Sequence, residues 1–412
     1  MKYGLLGYPL GHSMSPKIHA LLRIPDYQLF STPSEQLDSF LRAGDYQGLN
    51  VTIPYKRAVI PYCDFLSEQA RSIGSVNTLT RDAEGRLHGH NTDYAGLLFL
   101  AQQTGISFSG KQVLILGSGG ASLTAQAVAK DQAAADIHIV SRSGPIDYQN
   151  VYQLKNTEII INATPVGMYP NIEDCPLDLS RFTQLQGIID MIYNPLRTSL
   201  LLDAEDLGVP TANGLLMLAH QAKVAEELFL GEPIPDSYSR RAARQLKQDM
   251  TNIVFIGMPG CGKSTVAQEV AERTGKTLVD TDKLIEKESG LSIPQIFQNQ
   301  GETAFRRLET AILRRVAAKG GQVISCGGGI ILREENRRLL RQNGRIYLLK
   351  SELKQLACSG RPLSSSPEAI EQIAQERDPL YHSLADRVIW NDMCSNAAAR
   401  QAEEDFYAYF AN

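Results

Sequence analysis

Nine consecutive residues, Gly257-Met-Pro-Gly260-Cys261-Gly262-Lys263-Ser264-Thr265, lie about two-thirds of the way along a chain of 412. An apolar run at 253–256 precedes them and a helical pattern at 266–273 follows. A strand that passes through glycines into a helix aims backbone N–H groups and the positive end of the helix dipole at phosphate oxygens. The loop therefore holds the last part of the chain to an α/β fold around a nucleotide site. It also leaves roughly 250 residues before it, enough to bury a core of their own.

The balance of the chain is that of an ordinary globular protein, 21% charged and 43% hydrophobic. A net charge of −4 gives no broad basic field for nucleic acid. No apolar stretch reaches membrane-spanning length, and a strand-like 3–7 stands where a leader would carry its basic and apolar regions. Cysteines 63, 175, 261, 326, 358 and 394 are scattered, with no CxxC pair, which fits reduced thiols in a cytoplasmic protein rather than disulfides or a zinc site. Only small-molecule partners are expected, and oligomeric state is not legible.

Between residue 101 and about 204 a second strand–glycine–helix unit occurs. A buried strand at 113–116 runs into Gly117-Ser-Gly119-Gly120-Ala121 and a helix at 122–130. The glycines let the backbone approach a pyrophosphate. After the next strand, 136–140, the chain has Ser141-Arg142-Ser143 where an acid would bind a ribose 2′-hydroxyl. An arginine there suits a 2′-phosphate and hence NADP, unless it is simply a solvated charge. Asn162-Ala-Thr164-Pro-Val-Gly-Met168 follows the strand at 159–161, at the strand end where such sheets bind ligands.

Residues 1–100 gather hydroxyls and amides at tight turns: Ser13 and Ser15, Asn50 and Thr52 with Lys56, Asn77, and Asn91-Thr-Asp93. Such a set fits a small polyhydroxylated substrate. A lysine and an aspartate meeting across a pocket can exchange a proton with a carbonyl oxygen while hydride arrives. Lys56 as surface charge and Asp93 as a cap for a helix at 94–102 are equally open readings. His12 reads as structural. Helices are expected over 215–230 and 237–247, the second with Arg240, Arg241 and Arg244 on its polar side. Almost no linker separates Lys247 from Thr251.

Over residues 1 to about 247 these segments, together with Asp190-Met-Ile-Tyr-Asn-Pro195 and Asn213-Gly214-Leu-Leu-Met217-Leu-Ala-His-Gln221, resemble shikimate dehydrogenase. The resemblance implies NADPH-dependent reduction of 3-dehydroshikimate. It implies Lys56 and Asp93 as the catalytic pair, and Ser13, Ser15, Thr52, Asn77, Asp93 and Gln221 as substrate contacts, with Asn50 and Tyr193 nearby. It places Gly214 and Met217 along the nicotinamide, with Gly117, Gly119, Gly120, Ala121, Arg142, Thr164 and Met168 in the cofactor site. The chain departs from the family pattern at Tyr94, usually glycine, and at Ser75, commonly alanine. No second basic residue follows Arg142 within 144–150.

In the last region the loop Gly257–Thr265 is expected to cradle ATP phosphates, with Lys263 on the β and γ oxygens and Ser264 on Mg²⁺. Asp280-Thr-Asp282 ends the next strand, where an acid orients a hydroxyl, reaches magnesium through water, or caps a helix at 283–289. Phe305-Arg306-Arg307, a triple glycine at 327–329, Arg361-Pro-Leu in a serine-rich stretch and Arg377 follow, with a helix end expected at 377–381. Lone arginines are usually solvated. With Gly290-Leu-Ser-Ile-Pro-Gln-Ile-Phe297 and Gly301-Glu-Thr-Ala-Phe-Arg306-Arg-Leu-Glu309 this set resembles shikimate kinase over 251 to about 405. The resemblance implies shikimate contacts from Asp282, Arg306, Gly328, Gly329 and Arg377. Asp282 would handle the attacking hydroxyl, and Arg361 would stabilise the transferring phosphoryl group. Ser264 and Asp280 would serve the metal, and Gly257, Gly260, Cys261, Gly262, Lys263, Ser264 and Thr265 the nucleotide. The segment 353–360 lacks an arginine that family members usually carry.

The expected fold is α/β throughout. A substrate lobe (1–100 plus 205–247) and a Rossmann lobe (101–204) are followed by a P-loop, nucleoside monophosphate kinase-like domain (251–412). The expected function is two consecutive steps, reduction of a ketone and phosphorylation of the hydroxyl so formed. Two other readings are a weakly active or non-catalytic ATP- and shikimate-sensing, kinase-like module in the last third, and quinate as the substrate of the first half.

Overall fold

The computed structural model describes residues 2–11, 13–352, 367–392 and 394–411. It divides into two compact units. The first comprises Met1–Val166, Cys175–Tyr193 and Asp203–Leu246; the second comprises Gly167–Asp174, Asn194–Leu202 and Lys247–Asn412.

The first unit contains two sheets. β1 (Tyr3–Gly7), β2 (Tyr27–Ser31), β3 (Gly48–Val51), β4 (Phe65–Leu66), β5 (Thr78–Arg81) and β6 (Leu87–His90) lie in the order β2-β1-β3-β5-β6-β4. β1, β2 and β3 are parallel, and β5 runs antiparallel to both β3 and β6. The second sheet is all parallel: β7 (Gln112–Leu116), β8 (Asp136–Val140), β9 (Ile159–Asn162), β10 (Gly187–Asp190) and β11 (Thr211–Asn213), ordered β11-β10-β9-β7-β8. Its central strands are apolar on both faces, and residues 113–116 are fully buried, as expected of a sheet covered on both sides.

The helix Asp93–Thr104 packs on Leu215–Leu230 at close range. Gly96 permits this, because a Cβ there would lie 2.6 Å from the Met217 carbonyl oxygen. The predicted helices at 215–230 and 237–247 are present; the second extends to Met250 and buries Ala242, Ala243 and Leu246 opposite its exposed arginines.

The second unit is built on β12 (Asn252–Ile256), β13 (Thr277–Asp280), β14 (Gln322–Ser325), β15 (Gly344–Lys350) and β16 (Arg387–Trp390), all parallel in the order β13-β14-β12-β15-β16. Side chains alternate along β12. Ile253 and Phe255 join a core with Val266, Tyr347 and Phe406, whereas Val254 and Ile256 join another with Ile324, Ile346 and Leu313. Ile172 also packs into the latter core, and Asn343 accepts the Leu196 amide at 2.8 Å. The segments 167–174 and 194–202 thus group with the second unit, although sequence reading assigned all of 101–204 to one lobe.

Lys276 donates to the carbonyls of Gln248, Asp249 and Thr251, satisfying the end of the helix that leads into β12 without a linker. The helix end expected at 377–381 is a correction: the helix Pro367–Leu384 continues through Pro379.

Candidate active sites

In the first unit, the turn after β3 presents Thr52 and Lys56, and Asp93 opens the helix Asp93–Thr104. Lys56 Nζ donates to Asp93 Oδ2 at 2.5 Å, with the two side chains 27% and 17% exposed. The capping reading of Asp93 does not hold: Thr92 stands at the cap position, and Asp93 lies within the first turn and turns its carboxylate to the lysine. A charge-assisted bond between half-buried partners orients the ammonium while leaving it accessible.

The surrounding loops are fixed by side-chain amides. Asn77 Oδ1 accepts the Thr92 amide at 2.7 Å, and Asn91 Nδ2 donates to the Ser75 carbonyl at 2.9 Å. Gln221 Oε1 accepts from the Thr92 hydroxyl at 3.3 Å, so Asn77, Asp93 and Gln221 meet at one turn. Ser13 Oγ accepts the Ser15 amide at the start of the helix Ser15–Leu22.

A cavity of about 1030 Å³ brings Thr52 and Lys56 together with Gly117, Gly119, Gly120, Ala121, Arg142 and Thr164. Gly117 adopts φ 103°, closed to most side chains, and Gly119 begins the helix Gly120–Asp131 with no side chain on its free N–H groups. A Cβ at Gly119 would meet nothing within 4 Å, whereas one at Gly214 would lie 2.1 Å from the Met191 carbonyl oxygen. Gly119 thus leaves room for a phosphate, and Gly214 is glycine because the backbone passes too close for anything larger. Asn162 orders the adjoining loop: its Oδ1 accepts the Thr164 amide and hydroxyl, and its Nδ2 donates to the buried Asp190. Met168 and Gly214 do not line this cavity; Met168 belongs to the segment 167–174 of the second unit. Arg57 and Tyr148 do line it and were missed by sequence reading. Burial raises the Tyr148 phenol, against the pull of the nearby Arg142 guanidinium.

In the second unit a cavity of about 510 Å³ collects Lys263, Ser264, Asp280, Asp282, Arg306 and Arg377. It also takes in Gly260, Gly262, Thr265, Gly328 and Gly329. Gly257, Gly260 and Gly262 have φ of 144°, 91° and 89°, which only glycine adopts readily. Lys263 is 8% exposed and donates to the Gly257 and Met258 carbonyls, with Cys261 Sγ at 3.8 Å. Ser264 donates to Asp280 Oδ2 at 2.7 Å, while Asp280 Oδ1 caps the following helix through the Lys283 amide at 3.1 Å. The capping reading of the first acid is therefore realised, by the same side chain that accepts from Ser264. A hydroxyl against a carboxylate beside the phosphate loop is the oxygen-donor set that Mg²⁺ takes.

Asp282 faces the triple glycine, and its Oδ1 is buried without a hydrogen-bond partner. Burial first, then the charge of Asp280, pushes its carboxyl up to about 6. Arg306 donates to both oxygens of Glu309, at 3.1 and 2.9 Å, and to Glu302. Glu309 is fully buried, and burial raises it to about 7 against the pull of Arg306. Sequence reading passed over Glu309; its signal was the i, i+3 spacing from Arg306 on one helix face. Gly329 gives the guanidinium room, since a Cβ there would lie 2.3 Å from Arg306 Nη1. Arg377, 7% exposed, donates to the Gly328 carbonyl at 3.2 Å, and Tyr381 bonds both that carbonyl and Gly257. Arg306 and Arg377 are thus positioned groups rather than solvated charges. Arg361 and His12 lie outside the described residues.

None of the five described cysteines forms a disulfide, and no helix among the described residues is long and apolar enough to cross a membrane.

Residues 5–79 match the family model of the shikimate dehydrogenase substrate binding domain, and residues 259–406 match that of shikimate kinase. A shikimate dehydrogenase (NADP(+)) of Geobacillus kaustophilus is 38% identical over 256 residues, spanning 56% of this chain and 92% of the relative. Among solved structures, a chorismate mutase/shikimate 5-dehydrogenase fusion protein from Clostridium acetobutylicum aligns with a TM-score of 0.57 at 37% identity, over 59% of this chain and 96% of that one. A shikimate 5-dehydrogenase from Thermus thermophilus, in complex with NADP(H) and shikimate, aligns with a TM-score of 0.54 at 30% identity, over 60% and 99%.

Proposed function

From the premise that the chain belongs to the shikimate dehydrogenase family and carries a shikimate kinase domain behind it, we propose that it catalyses two consecutive steps on one carbon skeleton. The first unit reduces 3-dehydroshikimate to shikimate with NADPH. The second transfers the γ-phosphoryl group of ATP to the 3-hydroxyl of shikimate. We read residues 1–100 with 205–247 as the substrate lobe, 101–204, less the segments 167–174 and 194–202 that group with the second unit, as the cofactor lobe, and 251–412 as the kinase domain.

The observation that carries the first step is the Lys56–Asp93 pair beside the glycine cradle. Gly117–Ala121 would hold the pyrophosphate of NADPH and Arg142 its 2′-phosphate, and the bound cofactor would supply the hydride for the carbonyl carbon. Lys56 gives a proton to the carbonyl oxygen as it becomes a hydroxyl, and Asp93 keeps the ammonium aimed there. Ser13, Ser15, Thr52, Asn77 and Gln221 hold the substrate hydroxyls and carboxylate.

For the second step, Asp282 accepts the proton of the attacking hydroxyl. Its orphaned oxygen and raised pKa make it a better base than an exposed aspartate. Arg306 and Arg377 grip the substrate carboxylate. Lys263 turns from its loop carbonyls to the phosphates. Ser264 and Asp280 would hold Mg²⁺, which would neutralise phosphate charge. Arg361 is assigned to the phosphoryl group by resemblance.

A single incubation of the purified protein with 3-dehydroshikimate, NADPH, ATP and Mg²⁺ tests the reading by mass spectrometry, beside a Lys263→Ala control. Shikimate 3-phosphate that disappears in the control is expected. Shikimate accumulating without phosphate in the wild type would sink the kinase assignment and leave a sensing module in its place.

A further inference from the structure

Within the substrate lobe lies a buried polar cluster that the reaction as described does not use. His19, 1% exposed, stacks on Tyr27 with ring centroids 3.8 Å apart. Its Nδ1 is 2.8 Å from Glu226 Oε1 and its Nε2 is 3.1 Å from Asn50 Oδ1. Glu226 is fully buried, and its second oxygen has no hydrogen-bond partner. An acid so placed is costly unless something depends on it.

The partners fix how the protons lie. Asn50 Nδ2 faces the Thr78 hydroxyl at 3.1 Å and the Asn77 carbonyl at 3.5 Å, both able to accept. Asn50 Oδ1 therefore faces His19 and also accepts from the Tyr27 hydroxyl at 2.7 Å. His19 Nε2 must then carry a hydrogen, and a second proton lies between Nδ1 and Glu226. From Asn50 the bonding continues to Thr78, whose hydroxyl is 3.2 Å from both Asn77 Oδ1 and Thr92 Oγ1. Asn77 and Thr92 flank the turn that delivers Asp93, and Thr92 reaches Gln221.

We propose that His19 and Glu226 are positioning residues for the dehydrogenase: they lock the Asn50 amide in one orientation and, through Thr78 and Asn77, set the substrate pocket. This rests on the first unit being the dehydrogenase. Without the pair, Asn50 keeps the Tyr27 hydroxyl on its oxygen but loses the other of its two donors, and the amide and the hydroxyls beyond it are held less firmly in one direction.

The test uses the full chain. His19→Phe keeps an aromatic ring on Tyr27 and removes both nitrogen contacts. We expect KM for 3-dehydroshikimate to rise about tenfold or more with a fall in kcat. KM for NADPH and the kinase rate should stay within about twofold of wild type. Glu226→Gln, which still bonds Nδ1, should recover most of what Glu226→Leu loses. Should His19→Phe not fold, Glu226→Leu and Tyr27→Phe carry the same expectation. Unchanged substrate KM and kcat in soluble variants would overturn the proposal. A loss that Glu226→Gln does not relieve, and that falls equally on NADPH, would overturn it too. A ¹⁵N-histidine-labelled chain adds a readout independent of turnover: the His19 Nε2–H should exchange slowly, and rapid exchange would contradict the network. Wild type without dehydrogenase activity would sink the functional reading and the positioning role with it, whereas activity in the wild type with unchanged variants would overturn the positioning role alone.

Discussion

The acidic groups of the two sites are arranged in opposite ways. Asp93 has its cation: Lys56 bonds it at 2.5 Å and both are half-buried. Asp282 has an orphaned oxygen, a like charge nearby at Asp280, and a carboxyl pushed up to about 6. The difference follows from the chemistry proposed. Making a hydroxyl from a carbonyl needs a donor, so an acid serves best by orienting a lysine. Phosphorylating that hydroxyl needs an acceptor, so the acid serves best unpaired and reluctant to ionise.

The contrast can be broken by removing either group. Lys56→Ala should lower dehydrogenase kcat by ~10²–10⁴-fold while leaving the kinase rate intact in the same preparation. Asp282→Asn should do the converse, by ~10²–10³-fold, with shikimate binding retained; equal loss of both activities in either variant would contradict the separation of roles.

Smaller changes sharpen it. Gly329→Ala places a Cβ against an Arg306 guanidinium already pinned by Glu302 and Glu309, so it should raise KM for shikimate about tenfold in the kinase assay. Arg142→Ala should reduce preference for NADPH over NADH by about tenfold, measured as the ratio of kcat/KM values, with NADH turnover little changed. A larger residual preference would point to Arg57, which lines the same cavity.

Both phosphate-binding loops were legible because their glycines are local requirements: positive φ at 117, 257, 260 and 262 is dictated by the turn itself. The buried strands were equally plain, with β1 and β8 at the expected bounds. What escaped depends on residues far apart in sequence. His19 meets Glu226 across 207 positions, and neither lies in a recognisable motif. Glu309 was in view within its segment, but its i, i+3 spacing from Arg306 suits an ordinary helix-surface pair equally well, and its burial beneath Arg306 has no local sign. The grouping of 167–174 with the second unit rests on Ile172 reaching a core formed mostly by residues beyond 250, for which one isoleucine gives no local sign. Pro379 misled in the other direction, since the helix tolerates it and carries Arg377 into the cavity.

The most direct measurement is the pH dependence of the kinase half-reaction in wild type and Asp282→Asn. A raised carboxyl must lose its proton to act as a base, so wild-type kcat/KM should fall as pH drops through about 6, and Asp282→Asn should lack that limb. A wild-type rate that stays flat through this range, or the same limb in Asp282→Asn, would contradict the account of Asp282 as the acceptor that sets the second site apart from the first.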